Sequence, residues 1–210
     1  MHLLFDFDGT LVNSFHCVMQ KTILLADKFG FRKIQEHEIE SIRDLSSIEI
    51  VKFLKIPIYR IPMLIFQMRK HIHQEIPTLA PVDGIQQILE ELYNAKFPMG
   101  ILTSNSVENV EKWLEINNLR HVFAFIHAES KFFSKKNLIK KTLAKYAIDK
   151  SQAVYIGDET RDIDAAKKNN IKSVAVTWGY NSEKAILKYE PSVIVKNPKD
   201  ILLLECLKQY

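Results

Sequence analysis

The chain has 210 residues, a length that suits one domain or one core domain carrying an insertion. Apolar residues make up 47% and charged residues 26%, so a normal core can be buried and a disordered chain is excluded. The net charge of +4 suits a small anionic substrate and is too weak to argue for nucleic acid. In chain order, Leu3-Leu4-Phe5-Asp6-Phe7 is short and apolar and predicts a strand ending before Gly9. Residues 14–76 read as helical, with Val18, Leu24, Leu25 and Phe29 at helical spacing; Gly30 and Pro57 punctuate them, and Pro77 and Pro81 close them. Beyond residue 84, helices are predicted at 85–95, 107–117, 138–146 and 163–169, and strands at 99–103, 123–126, 153–156, 173–177 and 192–195.

Strands separated by helices imply a parallel sheet with right-handed crossovers. The expected architecture is α/β: a Rossmann-like, three-layer core of residues 1–13 and 81–210, with an all-helical subdomain of residues 14–80 inserted after the first strand. Cys17 and Cys206 have no paired spacing, which predicts reduced thiols in a cytoplasmic protein. Asp6 and Asp8 interrupt the first apolar stretch and no basic residue precedes it, so no signal peptide is expected. No apolar run reaches the roughly 18 residues of a membrane span.

Parallel sheets bind ligands at the carboxyl ends of their strands, so chemistry is sought there. The first strand ends in Asp6-Phe7-Asp8, the strand at 99–103 in Thr103-Ser104-Asn105, and the strand at 153–156 in Gly157-Asp158-Glu159-Thr160-Arg161-Asp162. Such residues also serve as ordinary turns and helix caps. That accounts for one strand end well and for three together poorly. In a regular strand Asp6 and Asp8 would share a face, and two close carboxylates repel. A divalent cation relieves that repulsion, and Asp158 and Asp162 add the hard oxygen donors that suit Mg²⁺.

These segments resemble the motifs of the haloacid dehalogenase superfamily. Asp6-Phe7-Asp8-Gly9-Thr10-Leu11 resembles its first motif, Thr103 its second, and Gly157-Asp158-Glu159-Thr160-Arg161-Asp162 its fourth. The third-motif lysine falls on Lys135, with Lys136 and Lys131 as the alternatives. The closest subgroup is the phosphoglycolate-phosphatase-like enzymes, which carry a helical C1-type cap where residues 14–80 stand. The resemblance implies a Mg²⁺-dependent phosphoric monoester hydrolase acting on a small phosphorylated metabolite. Asp6 would be the nucleophile and form an aspartyl-phosphate, and Asp8 would protonate the leaving oxygen and then activate water. Thr103, Ser104, Asn105 and Lys135 would hold the phosphate. Asp6, Asp8 (through its backbone carbonyl), Asp158 and Asp162 would form the metal site. Repulsion between a carboxylate and one phosphate charge amounts to about 4 kcal/mol at about 4 Å, which is why Lys135 and the metal matter. A sugar phosphomutase uses a similar constellation, and a non-catalytic binding protein on this fold is the alternative of another class.

Within the insertion, Arg43 sits at a predicted helix break, either clamping a substrate anion or pairing with Asp44 or Glu40 on the surface. Arg60, Arg69 and Lys70 read as surface charges. The apolar stripe from Ile56 to Met68 predicts packing between cap helices or a dimer face, so a monomer or a homodimer is expected.

Overall fold

The computed structural model describes residues 1–129 and 135–204; Lys131 and Cys206 lie outside them. The strands are His2–Phe5 (β1), Met99–Thr103 (β2), Phe125–Ala128 (β3), Ala153–Gly157 (β4), Lys172–Val176 (β5) and Val193–Val195 (β6). The helices are Phe15–Phe29 (α1), Ile39–Ile42 (α2), Ser47–Phe53 (α3), Ile61–Glu75 (α4), Ile85–Asn94 (α5), Val107–Ile116 (α6), Lys135–Lys145 (α7), Thr160–Asn169 (α8) and Glu183–Leu187 (α9). The strands form a single sheet in the order β3-β2-β1-β4-β5-β6, with every neighbouring pair parallel. The chain winds outward from β1 to β3, returns to the other side of β1, and winds outward again. The reversal places the carboxyl end of β1 beside those of β2 and β4, where doubly wound sheets form their crevice.

Alternation along the strands makes three layers. Leu3, Phe5, Ile101, Val154 and Ile156 face one side, where Ile85, Leu89 and Leu92 of α5 and Val110 and Trp113 of α6 cover them. Leu4, Leu102 and Tyr155 face the other side, under Leu138, Ile139 and Leu143 of α7 and Ala165 and Ala166 of α8. The register Leu3↔Val154, Leu4↔Tyr155 keeps each set on its face. Trp113 is fully buried, meets Phe7 edge-on at 5.3 Å, and donates its indole N–H to the Leu79 carbonyl at 2.8 Å.

Helices α1 to α3 and their connections enclose their own apolar cluster, centred on Phe15, Met19, Ile34, Ile42 and Leu54, whereas Met68 and Ile72 of α4 pack with the main core. Helix α1 stops at Gly30, which takes a left-handed φ of 64° and returns its N–H to Ala26. The predicted stripe divides: Ile61 and Leu64 are buried, whereas Ile58 and Phe66 are 77% and 65% exposed. Among the described residues, no helix is long and apolar enough to cross a membrane.

Several elements differ from the sequence reading, among them β1, which ends at Phe5 rather than Phe7, and α7, which starts at Lys135 rather than residue 138. The third strand starts at Phe125 rather than residue 123, because Arg120 folds back onto the Phe123 carbonyl and holds residues 120–123 in a turn. Helix α8 starts at Thr160 rather than residue 163, because Glu159 and Asp162 form a reciprocal cap. Helix α9, which the sequence reading leaves out, is capped by Ser182, whose hydroxyl accepts the Ala185 N–H.

Candidate active site

Strand β1 ends at Phe5, and Asp6 is still tied to the sheet through its N–H to the Ile156 carbonyl at 2.8 Å. One carboxylate oxygen of Asp6 accepts the Phe7 N–H at 2.8 Å, and the other lies 2.7 Å from Lys135 Nζ. Lys135 opens α7 and also lies 3.1 Å from Asp162 Oδ1. Burial alone would lower the pKa of this ammonium, but Asp162 and Asp6 outweigh it and raise it. Lys136, the neighbouring alternative, is exposed.

Asp158 follows β4 and is fully buried. Its oxygens accept the Thr10 hydroxyl at 2.7 Å and the Tyr180 N–H at 2.7 Å. Asp162 accepts the Glu159 N–H at 3.1 Å. Two glycines make this packing feasible. Gly9 has a φ of +78°, and a Cβ there would lie 2.3 Å from Asp158 Oδ2. A Cβ on Gly157 would lie 2.5 Å from Asp162 Oδ2. Oxygens of Asp6, Asp158 and Asp162 lie within 4.8 Å of one another. Burial, joined by the charges of Glu159, Asp6 and Asp162, pushes Asp158 well above the ordinary carboxylate range. Burial likewise raises Asp162 to about 7 despite Lys135. Three buried carboxylates sharing one ammonium leave an excess of negative charge on hard oxygen donors, which a divalent cation such as Mg²⁺ fits.

Asp8 stands apart from this cluster, and the expectation that Asp6 and Asp8 share a strand face is corrected here. The strand has already ended, and the chain turns through Gly9 toward an isolated bridge between Asp8 and Val12. Asp6 therefore meets Lys135, while Asp8 Oδ2 accepts Asn105 Nδ2 at 3.0 Å. Burial, reinforced by the charge of Asp6, pushes Asp8 up to about 6, although the Asn105 bond works in the opposite direction. The sign of the consequence follows from proton linkage. A raised carboxyl costs the folded state nothing below about pH 4, an increasing amount between about 4 and 6, and the full amount above. Asp8 is partly exposed, so water screens part of the cost. Asp8→Asn should stabilise the metal-free protein by about 1–2 kcal/mol at pH 8 and leave it unchanged at pH 4, as read by chemical denaturation in chelator. A loss of stability at pH 8 would contradict this environment for Asp8.

Thr103 closes β2, is fully buried, and accepts the Asn105 N–H at 2.9 Å. Asn105 also accepts the Ser106 N–H and Asn109 Nδ2, both at 2.8 Å. Ser104 follows Thr103 and offers its carbonyl to Arg69. Arg43 is placed elsewhere than a free anion clamp: Nη2 donates to the Gly179 carbonyl at 2.9 Å, and its own carbonyl accepts Ser182 N at 2.9 Å and Asn181 Nδ2 at 3.0 Å. It ties the end of α2 to residues 179–182.

Arg69 corrects the reading of a surface charge. It donates to the Ser104 carbonyl, and its Nε is buried with no hydrogen-bond partner among the described residues. The available signal was spacing, since Ile65, Arg69 and Ile72 fall on one face of α4. Glu159 and Arg161 form an ion pair that the motif alone did not reveal, and Ser47 of α3 donates to Glu159 at 3.2 Å. A cavity of about 250 Å³ opens here. Asp8, Ser104, Asn105, Glu159, Arg161 and Tyr180 line its core side, and Arg69 with residues of α1, α3 and α4 lines the rest.

A doubly wound sheet with its aspartates gathered at the carboxyl edge defines a class of α/β enzyme that works at strand ends. Residues 3–176 match the family model described as haloacid dehalogenase-like hydrolase, and the chain belongs to that family. Within it, the chain stands among phosphatases. It is 31% identical over 200 residues to the phosphoglycolate phosphatase of Synechococcus elongatus, covering 95% of this chain and 94% of that one. It is 21% identical to the pyrophosphatase PpaX of Listeria monocytogenes, over 96% and 94% of the two chains. The solved structure of a haloacid dehalogenase-like hydrolase from Streptococcus pneumoniae superposes with a TM-score of 0.79, at 22% identity and 96% coverage of both chains. The structure described as a predicted phosphatase from Clostridium acetobutylicum gives 0.82, at 23% identity over 97% and 98%.

Proposed function

We propose that this protein hydrolyses a small phosphate monoester through a phosphoryl group carried on Asp6. One observation carries the reading: two aspartates two positions apart occupy opposite environments. Asp6 is ion-paired with Lys135 at 2.7 Å, and Asp8 is held with a pKa of about 6 beside Asn105. A pair of carboxyl groups set apart by their surroundings provides one nucleophile and one acid.

In the first half-reaction an Asp6 oxygen attacks phosphorus, the bond from phosphorus to the ester oxygen breaks, and the Asp8 proton passes to that oxygen. In the second, Asp8 as carboxylate takes a proton from water, the water oxygen attacks phosphorus, and the bond to Asp6 breaks. Lys135 offsets the charge of Asp6 and of the incoming phosphate. Thr103, Ser104 and Asn105 at the end of β2 hold the phosphoryl oxygens. Asp6, Asp158 and Asp162 would hold Mg²⁺, together with the Asp8 backbone carbonyl. When bound, the ion supplies charge neutralisation and polarises the phosphoryl group. Residues 1–13 and 81–210 form the catalytic core in this reading. Residues 14–80 form a cap that excludes bulk water and selects the substrate, with Arg43 as its anchor to the core.

Purified protein should hydrolyse p-nitrophenyl phosphate with Mg²⁺, lose at least about 90% of that turnover in chelator, and regain it when Mg²⁺ is restored. Turnover unaffected by chelation would remove the metal from the reading. Absence of turnover across a broad panel of phosphate esters in Mg²⁺ would remove the reading itself.

A further inference from the structure

We propose that the favoured substrate is a phosphate monoester whose alcohol part is apolar, an alkyl or aryl group of about ten heavy atoms. This rests on the phosphatase reading and deepens it. The cavity beside Asp8 is continuous with the site, since Asp8, Ser104 and Asn105 line it along with the insertion. The insertion's share of the wall is apolar, with Met19, Leu25, Ile34, Leu54, Leu64 and Met68 prominent in it. The polar exceptions on that side are Thr22, Ser47 and Arg69. Arg69 reaches the Ser104 carbonyl at the end of β2, so its charge lies at the phosphate end. Its buried Nε, with no hydrogen-bond partner among the described residues, is a donor suited to a phosphoryl or ester oxygen.

The other charged groups on the wall, Glu159 and Arg161 on the core side, are ion-paired with each other, and among the described residues the walls beyond Arg69 on the helical side carry no counter-charge for a second anionic group. A carboxylate or a second phosphate placed there would lose its hydration without compensation. An apolar group placed there gains by leaving water. The size agrees: a cavity of about 150 Å³ with such walls accepts benzene, so the 250 Å³ here accommodates about ten heavy atoms by proportion. This substrate class differs from those named for the similar phosphoglycolate phosphatase and pyrophosphatase.

The test is a series of ethyl, butyl, hexyl and octyl phosphate with phosphoglycolate as comparator, read as kcat/KM in Mg²⁺. A parallel calorimetric titration uses the non-hydrolysable alkylphosphonates. We expect kcat/KM to rise about threefold per methylene, hexyl phosphate to exceed phosphoglycolate, and phosphonate affinity to rise in step. Ile65→Trp, which fills the apolar wall, should reduce the hexyl-to-ethyl ratio at least about tenfold, with an unchanged melting temperature showing that it folds. Good turnover of ethyl phosphate and phosphoglycolate with a flat or falling series would overturn the inference and leave the phosphatase reading standing. No turnover of any ester, with phosphonate affinity still rising with chain length, would overturn the phosphatase reading and support the apolar cavity. Neither turnover nor binding would overturn both.

Discussion

Asp6→Asn should fold normally and lose at least about 10⁴-fold in kcat, the scale expected when a nucleophile that forms a covalent intermediate is removed. The expectation of normal folding comes from the local bonds. An asparagine oxygen can still accept the Phe7 N–H that Asp6 accepts at 2.8 Å, and the backbone bond to Ile156 is untouched. Lys135 keeps Asp162 at 3.1 Å. The chemistry has no such substitute, because an amide oxygen neither attacks phosphorus competently nor leaves as a carboxylate. Mass spectrometry of acid-quenched wild type should show a phosphoryl group on the peptide carrying Asp6, and the variant should show none. Wild-type turnover by the variant would transfer the nucleophile's role elsewhere. Loss of turnover together with loss of the folded far-UV spectrum would instead show that Asp6 is needed structurally.

The parts of this site that were legible in the sequence are those set by short-range pattern. Asp6, Thr103 and Asp158 each follow an apolar run, and a parallel sheet delivers such residues to one edge whatever the loops do. Lys135 was legible in kind, though its choice over Lys136 needed the helix phase, which buries one and exposes the other. The less legible residues depend on contacts far apart in sequence. Arg43 is claimed by the carbonyl of Gly179, 136 residues away, and no local pattern announces a main-chain partner. Arg69 is half-buried because its guanidinium reaches the Ser104 carbonyl just after β2, so its partial burial belongs to the tertiary structure rather than to its neighbours in the chain. Asp6 and Asp8 separate because β1 ends at Phe5, and a period-two pattern cannot show where a strand stops pairing. The apolar stripe of the insertion was visible as hydrophobic spacing, but not as the wall of a cavity opening on Asp8.

The charge balance of the site leads to the second large effect. Lys135 is the ammonium shared by Asp6 and Asp162, at 2.7 and 3.1 Å, and all three side chains are buried. Removing one partner of a buried ion pair leaves uncompensated charge, at a cost of about 3–5 kcal/mol. Lys135→Met keeps most of the side-chain volume and removes the charge, so it isolates this effect from a packing defect. The cost has a direction in pH. Without Lys135, the carboxyl of Asp162, already at about 7, loses its neighbouring cation and rises further. In the window between the unfolded and the raised folded pKa, the folded state binds more protons than the unfolded state, so stability increases as pH falls. The deficit relative to wild type should therefore be largest at pH 8 to 9 and shrink toward pH 5, as followed by urea denaturation in chelator. Mg²⁺ offers a second check in the same assay: a cation bound among Asp6, Asp158 and Asp162 would restore part of the lost stability at pH 8 without restoring turnover, because the ion neutralises the cluster but does not replace Lys135 beside the phosphate. A deficit independent of pH would mean that Lys135 contributes packing rather than charge, and the pairing with Asp6 would no longer explain why Asp6 and Asp8 have opposite roles.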